Sequence, residues 1–265
     1  MTEQNIPVVI LCGGMGTRIK EETEYKPKPM VMIGDRPILW HIMKIYATYG
    51  YDDFILCLGY RGHLIKEYFL HYEIMANDFS LELGKKDSTK VFHNHGEQGW
   101  RVLLADTGEK TLKGGRLKRI ERYIDSDHLM VTYGDGVADI DINRLMNFHL
   151  SHGKIATVTG VKPLSRFGEI RAVADVVTEF SEKPQSSGGL INGGFFVFDR
   201  RIFDYLHDRE DCDLEYGALE KLAQRGELMV YRHEGFWACM DTMRDMEYLN
   251  RLWTDGKALW KVWER

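Results

Sequence analysis

Gly13-Gly14-Met15-Gly16-Thr17-Arg18 follows directly on the apolar run Val8-Val9-Ile10-Leu11-Cys12, and Lys26-Pro27-Lys28-Pro29 comes soon after. Glycines permit positive φ and close backbone approach to a ligand. Successive backbone N–H groups in such a turn form a concavity that favours anions. Arg18 carries the forked donors that suit phosphate oxygens. Pro27 and Pro29 hold the chain extended around Lys28, since proline fixes φ and biases the preceding residue away from helix. Together these residues describe a phosphate cradle. Two other glycine motifs fail on spacing. A P-loop has Lys-Ser/Thr directly after its last glycine, where Thr17-Arg18 stands here, and the G-x-G-x-x-G fingerprint would need glycine at position 19, which is isoleucine.

Asp135 lies between Gly134 and Gly136 directly after a strand-like run. A hard cation such as Mg²⁺ takes one or two carboxylates, keeps several waters and bridges substrate phosphates, and Asp135 suits that role. Asp139 and Asp141 read as caps of the helix that begins near 141. Asp241 precedes a helical segment and is either its N-cap or a second metal ligand. In Glu182-Lys183-Pro184, Lys183 is a candidate phosphate contact and Glu182 a candidate acceptor for sugar hydroxyls; a charged exposed turn is the alternative. Asp106-Thr107-Gly108 and Gly114-Gly115-Arg116 make another glycine turn with an arginine, or a flexible loop. The histidines show no metal-ligand spacing, and His93 and His95 have no evident partner. G-x-S-x-G and H-E-x-x-H are absent, so nucleophilic and zinc chemistry have no support.

Strand-like and helix-like segments alternate around these residues. Strands are expected at 8–11, 54–58, 129–133 and 155–161, and helices at 38–49, 64–75, 117–124 and 142–150. Residues 80–103 are less regular and read as short strands crossing near the site. Beyond residue 160, strands are expected at 178–182, 195–198 and 228–231, with helices at 215–225 and 242–253. This rhythm predicts an α/β fold with a mainly parallel sheet and helices on both faces. Ligands in such folds sit beyond the carboxyl ends of the strands, where Gly13–Arg18 and Gly134–Gly136 both fall. No linker or repeat divides the chain, so residues 1–265 are expected to form one domain, with the second half supplying the other side of a cleft.

The 265 residues are 44% hydrophobic and 28% charged, ordinary values for a globular protein, and the net charge is −5. That balance, without a long basic run, argues against nucleic acid as a partner. No apolar run approaches the roughly 20 residues of a membrane helix, so no membrane association is expected. The N-terminal residues lack a secretory pattern, and Cys12, Cys57, Cys212 and Cys239 form no C-x-x-C pair. A reduced, cytoplasmic setting is expected. Trp253, Trp260 and Trp263 read as core or as subunit contacts. With residues 80–103 they hint at a homo-oligomer.

The segments Leu11–Arg18, Lys26–Val31, Arg36–His41, Thr107-Gly108, Gly114–Arg119, Tyr133–Asp139, Glu182–Pro184, Ile191–Phe196 and Met240–Thr242 resemble the sugar-1-phosphate nucleotidylyltransferases over essentially the whole chain. Pro37–His41, the Thr-Gly and Gly-Gly-Arg pair, and Tyr133–Asp139 resemble the CTP-specific branch. The resemblance implies a Rossmann-like nucleotidyltransferase fold and transfer of CMP from CTP to α-D-glucose 1-phosphate, yielding CDP-glucose and pyrophosphate. It implies Mg²⁺ held by Asp135 and Asp241, with Arg18 and Lys28 on the triphosphate. Lys183 would hold the sugar phosphate, and Gly168, Glu182 and Asn192 would line the sugar pocket. Leu11, Cys12, Gly13, Gly14, Met15, Gly16, Thr17, Thr111, Arg116 and Gly134 would surround the nucleotide. Cys12 stands where the family usually has alanine. UTP or dTTP, or another sugar 1-phosphate, is the near alternative. A sugar-nucleotide sensor without turnover would be expected to lack a metal aspartate or phosphate lysine, and none is missing here. The failed glycine fingerprint argues against a nicotinamide oxidoreductase.

Overall fold

The computed structural model describes residues 6–264 apart from 15–18, 86–87, 93–95, 98, 163–168, 174–175 and 182–188. The chain opens with β1 (Val8–Cys12), whose five residues are all buried. Continuous burial marks a parallel strand covered on both faces, which is why no polar alternation occurs. Helix α1 (Lys20–Thr23) and a 3-10 turn at Lys28–Met30 precede a small hairpin, β2 (Met32–Ile33) and β3 (Arg36–Pro37). Then come α2 (Ile38–Thr48), β4 (Asp53–Leu58), α3 (Gly62–Leu70), α4 (Tyr72–Met75), and a second hairpin, β5 (Asp78–Ser80) with β6 (Lys90–Phe92). The series continues through β7 (Arg101–Asp106), α5 (Lys113–Arg119), β8 (His128–Tyr133), β9 (Gly136–Ala138), α6 (Ile142–His152) and β10 (Ala156–Val161). The last third adds β11 (Glu169–Val173), β12 (Val176–Ser181), β13 (Ile191–Asn192) and β14 (Phe196–Asp199). A π-helical turn at Leu214–Leu219 runs into α7 (Glu220–Gln224), followed by β15 (Leu228–His233), β16 (Trp237–Cys239) and α8 (Met243–Thr254).

One eight-stranded sheet takes strands from both halves of the chain. Its order is β7-β4-β1-β8-β14-β10-β15, with β13 pairing the end of β10 beyond β14. Strands β7, β4, β1 and β8 are parallel, β14 is antiparallel to both β8 and β10, and β15 returns parallel to β10. The α/β class with a mixed, mainly parallel sheet is therefore as expected. The two faces of β1 feed separate cores. Val8, Ile10 and Cys12 face α2, α6 and α8; Val9 and Leu11 face α5 and the π-helical turn.

Most expected elements are present, with informative differences. The helix expected at 64–75 is broken at His71 into α3 and α4. Where residues 80–103 are described, β5 and β6 form a hairpin and β7 is the sheet's edge strand, and none of those residues lines the cavity at the ends of β1 and β8. Helix α5 begins at Lys113 and contains Gly114 and Gly115, which read as a loop in sequence. A Cβ on Gly114 would lie 2.9 Å from the Cys212 carbonyl oxygen, and one on Gly115 would lie 2.6 Å from that of Arg209. These glycines are packing residues inside a helix. The expected strand at 178–182 is β12, which ends at Ser181; Glu182 lies outside the described residues.

The C-terminal tryptophans surround a buried histidine. His41 has ring centroids 4.8 Å from Trp253, 6.2 Å from Trp260 and 6.1 Å from Trp263. Its Nε2–H donates to the Ile33 carbonyl at 3.0 Å, and Nδ1 accepts from Trp260 Nε1 at 3.4 Å. That pairing demands neutral imidazole, and burial pushes its pKa down to about 4. Burial, with His128 and His152 adding to it, likewise lowers His149 to about 4. Both folded-state values lie below the unfolded one, so the unfolded chain binds more protons between pH 6.5 and 4 and stability falls on acidification. Each histidine is expected to cost about 2 kcal/mol by pH 5. Urea unfolding at pH 7 and pH 5 checks this; an unchanged midpoint would contradict it.

Candidate active site

A cavity of about 810 Å³ opens beyond the carboxyl ends of β1 and β8. Leu11, Gly13, Gly14, Thr111, Arg116, Gly134, Asn192, Trp237 and Asp241 are among the residues that line it. Cys12 lies beneath, fully buried in the core. Met15, Gly16, Thr17, Arg18, Gly168, Glu182, Lys183, His93 and His95 lie outside the described residues.

Two carboxylates converge at the cavity edge because two short strands pair. Strand β9 follows Asp135 and pairs antiparallel with β16, which precedes Asp241. The Met240 N–H closes the ladder on the Asp135 carbonyl at 2.8 Å. Asp241 is not the helix cap. Thr242 caps α8, and its capping-box partner Asp245 accepts from the Thr242 N–H at 2.8 Å. The cap is thus satisfied without the Asp241 carboxylate. Asp141 caps α6 as expected, accepting from the Arg144 N–H at 2.9 Å. Asp139, expected to cap as well, instead stands 3.1 Å from His233 Nε2.

Lys28 Nζ lies between the two carboxylates, 2.6 Å from Asp135 Oδ2 and 2.5 Å from Asp241 Oδ1. Burial works to lower the lysine's pKa, but the ion pairs with Asp135 and Asp241 outweigh it and the net shift is upward. The chain around Lys28 differs from the extended form expected. Pro27 and Val31 on either side are extended, but Lys28–Met30 form a 3-10 turn with the Val31 N–H on the Lys28 carbonyl at 3.0 Å. Pro29 sets the distance, since a Cβ on Gly134 would lie 2.8 Å from its Cγ. Glycine at 134 therefore lets the Lys28 turn close onto the strand end that carries Asp135.

This pair fits a divalent cation. Both carboxylates already turn toward one positive charge. Mg²⁺ prefers such a sparse protein set, with phosphate oxygens and water completing its shell.

Arg116 acts differently from a free phosphate hook. Its guanidinium, only 4% exposed, donates to the Leu58 carbonyl and Thr107 Oγ1 at 2.9 Å each. It also donates to the carbonyls of Gly13 and Glu109 at 3.1 Å each. It ties the ends of β1 and β4 to the 107–111 loop. Neither Gly13 nor Gly14 has positive φ. Gly13 is small for another reason, as a Cβ there would lie 2.0 Å from Arg116 Cζ. Arg119, which the sequence did not single out, fixes the same loop by donating to the Thr107 carbonyl and Thr111 Oγ1 at 2.8 Å each.

Around Asn192 stand residues with no site role in the sequence reading. Tyr133 Oη donates to Glu215 Oε1 at 2.6 Å and accepts from Asn192 Nδ2 at 2.8 Å. Lys113 pairs with the same Glu215 oxygen. Trp237 Nε1 donates to the Gly193 carbonyl at 2.8 Å, anchoring the turn after Asn192.

Residues 7–256 match the family described as nucleotidyl transferase. The chain belongs to that family. The protein is a nucleotidyltransferase enzyme. It is 49% identical over 257 residues to the glucose-1-phosphate cytidylyltransferase of Salmonella typhi, covering 97% of this chain and 99% of that protein. It is 46% identical to the probable glucose-1-phosphate cytidylyltransferase of Bacillus subtilis (strain 168), covering 96% and 99%. The nucleotidyltransferase fold recurs in HddC from Yersinia pseudotuberculosis, crystallised with GMP-PN, at TM-score 0.65, 23% identity and coverage of 94% and 99%. It recurs too in the inositol-1-phosphate CTP transferase from T. maritima, at TM-score 0.66, 12% identity and coverage of 100% and 98%. Among the described residues no helix is long and apolar enough to cross a membrane.

Proposed function

We propose that the protein transfers CMP from CTP to α-D-glucose 1-phosphate, giving CDP-glucose and pyrophosphate with Mg²⁺. The observation that carries this reading is the convergence of Asp135 and Asp241 on Lys28 at the mouth of the cavity, in a chain 49% identical to a glucose-1-phosphate cytidylyltransferase. A phosphate oxygen of the sugar phosphate attacks the α-phosphorus of CTP. The new P–O bond forms as the α–β bridging bond breaks, and pyrophosphate leaves with the bonding electrons. With a second pKa of roughly 6 the attacking phosphate is ionised at neutral pH, so the site needs no general base. The obstacle is repulsion between a dianion and a triphosphate. A bound Mg²⁺ on Asp135 and Asp241 would supply charge neutralisation at the phosphates.

The protein's own residues orient and neutralise. Leu11, Gly13, Gly14, Thr111, Arg116 and Gly134 shape the nucleotide side, with Arg116 also tying that wall together. Arg18 and Lys28 take the triphosphate, with Lys28 turning from the aspartates to the phosphates when they arrive. Lys183 takes the sugar phosphate, and Gly168, Glu182 and Asn192 take the sugar. The first half of the chain thus serves the nucleotide and the second half the sugar, within one domain. Holding both reactants in line can contribute about 7–11 kcal/mol. The buried free cysteines Cys12, Cys57 and Cys212 suit a reducing cytoplasm.

Pyrophosphate release from glucose 1-phosphate, measured with CTP, UTP, dTTP and GTP in turn, tests the assignment. CTP is expected to exceed each other nucleotide by at least about tenfold in kcat/KM, a difference of about 1.4 kcal/mol in binding the transition state. No release with CTP and Mg²⁺ overturns it.

A further inference from the structure

Asn192, assigned above to the sugar, stands on weak local structure. Strand β13 is only Ile191–Asn192, both exposed, and it is held by two register pairs to β10. An exposed asparagine on so short a strand can rotate its amide, and the two ends of that amide do opposite things: one donates, the other accepts. The Gly194 N–H, donated to Oδ1, holds one end of the amide, and a second group holds the other.

The fixing group lies behind the wall. Glu215 sits in the π-helical turn Leu214–Leu219, whose start is capped by Asp213 accepting from the N–H groups of Glu215 at 2.8 Å and Tyr216 at 2.9 Å. π turns are rare and recur at functional sites. The cap holds Glu215 in place under Tyr133. A carboxylate paired with Lys113 only accepts, so the single hydroxyl proton of Tyr133 goes to Glu215 Oε1. With that proton committed, Tyr133 Oη can only accept from Asn192, and it does so from Nδ2 at 2.8 Å. The other end agrees, because Asn192 Oδ1 accepts from the Gly194 N–H at 2.9 Å. Tyr133, Lys113 and Asn192 line the cavity, while Glu215 stands behind them.

We propose that Glu215 is a positioning residue which, through Tyr133, locks the Asn192 amide so that its second Nδ2–H is presented to an acceptor oxygen of the sugar phosphate. The relay rests on the sugar-pocket reading of Asn192. It imposes a preference at one subsite: the group met there accepts a hydrogen bond, as a sugar hydroxyl does and a deoxy carbon does not. Lys113, 5.3 Å from the centre of the Tyr133 ring, closes the relay toward the solvent side.

Steady-state kinetics of the full chain with CTP, Mg²⁺ and glucose 1-phosphate test the relay. Asn192→Ala and Tyr133→Phe are each expected to raise KM for the sugar phosphate about tenfold, the effect of one lost hydrogen bond. KM for CTP is expected to stay within about twofold, and the double variant to be no worse than Asn192→Ala alone, as coupled residues behave. Glu215→Leu is expected to match Tyr133→Phe. Glu215→Gln retains an acceptor oxygen and is expected to keep KM within about threefold of the parent. If Tyr133→Phe leaves the sugar-phosphate KM unchanged while Asn192→Ala raises it, the relay is overturned and the sugar-pocket reading stands. If Asn192→Ala also has no effect, the sugar-pocket reading itself is overturned. Should Glu215→Leu fail to fold, the Tyr133→Phe comparison and its additivity with Asn192→Ala decide the question.

Discussion

Asp241→Asn is expected to lower kcat for pyrophosphate release by about a thousandfold while leaving the melting temperature nearly unchanged. A thousandfold corresponds to about 4 kcal/mol of transition-state stabilisation, within what charge neutralisation at a transferring phosphate supplies. The substitution keeps shape and removes only charge. Three groups meet at the cavity edge, with one ammonium between two carboxylates at 2.6 and 2.5 Å. Removing one negative charge leaves Lys28 balanced by Asp135 alone, and a divalent cation arriving with the triphosphate then meets half the anionic charge. The fold is spared because the start of α8 is held by Thr242 and Asp245, not by the Asp241 carboxylate. Parallel measurement of kcat and thermal unfolding separates the two roles. A variant that keeps activity within about tenfold refutes the metal-ligand reading, because less than about 1.4 kcal/mol would then depend on that charge. A large fall in melting temperature refutes the claim that the cap is independent of it.

The same residue shows where sequence reasoning stops. Asp241 is a good N-cap type and reads as a cap candidate, but its neighbour Thr242, expected inside the helix, takes that role. The decision lies in which side chain meets the N–H of Asp245, a matter of backbone geometry at one turn. The central strands were legible because a strand buried on both faces reads as an unbroken apolar run, as Val8–Cys12 does. Gly114 and Gly115 misled for the opposite reason. Glycine's intrinsic preference marks a loop, but here the backbone of residues 209–213 presses on the helix and leaves no room for a Cβ. Glu215 was invisible because its partner Tyr133 is 82 residues away and nothing in Leu214–Leu219 forms a local motif. Arg116 was noticed for its charge, yet the structure spends that charge on backbone carbonyls.

Arg116→Met carries the second large effect, and it falls on stability first. The guanidinium is buried and makes four hydrogen bonds, to Leu58, Thr107, Gly13 and Glu109. Its acceptors belong to three separate pieces of chain: the end of β1, the end of β4, and the loop before α5. Methionine fills much of the same volume but donates nothing, so the Gly13 and Glu109 carbonyls lose this donor, while the Leu58 carbonyl keeps the Thr107 N–H at 3.0 Å and the Thr107 hydroxyl at 2.7 Å. An unsatisfied buried group costs about 1–3 kcal/mol, and with the lost packing of the guanidinium the expected loss is about 2–4 kcal/mol. For a chain of this size that is a fall of roughly 10 °C in melting temperature. Arg116→Lys is expected to recover only part of it, because a compact ammonium cannot span carbonyls that a planar fork reaches together. Gly13→Ala approaches the same junction from the other side, since its methyl would lie 2.0 Å from the position of Arg116 Cζ and must displace the guanidinium. Both variants are therefore expected to melt early and to bind CTP more weakly, because the strand end that carries the glycine turn loses its tether. A melting temperature for Arg116→Met within about 2 °C of the parent would mean that less than about 1 kcal/mol depends on the tether. The buried arginine would then be a nucleotide contact rather than the clamp that shapes the nucleotide's wall.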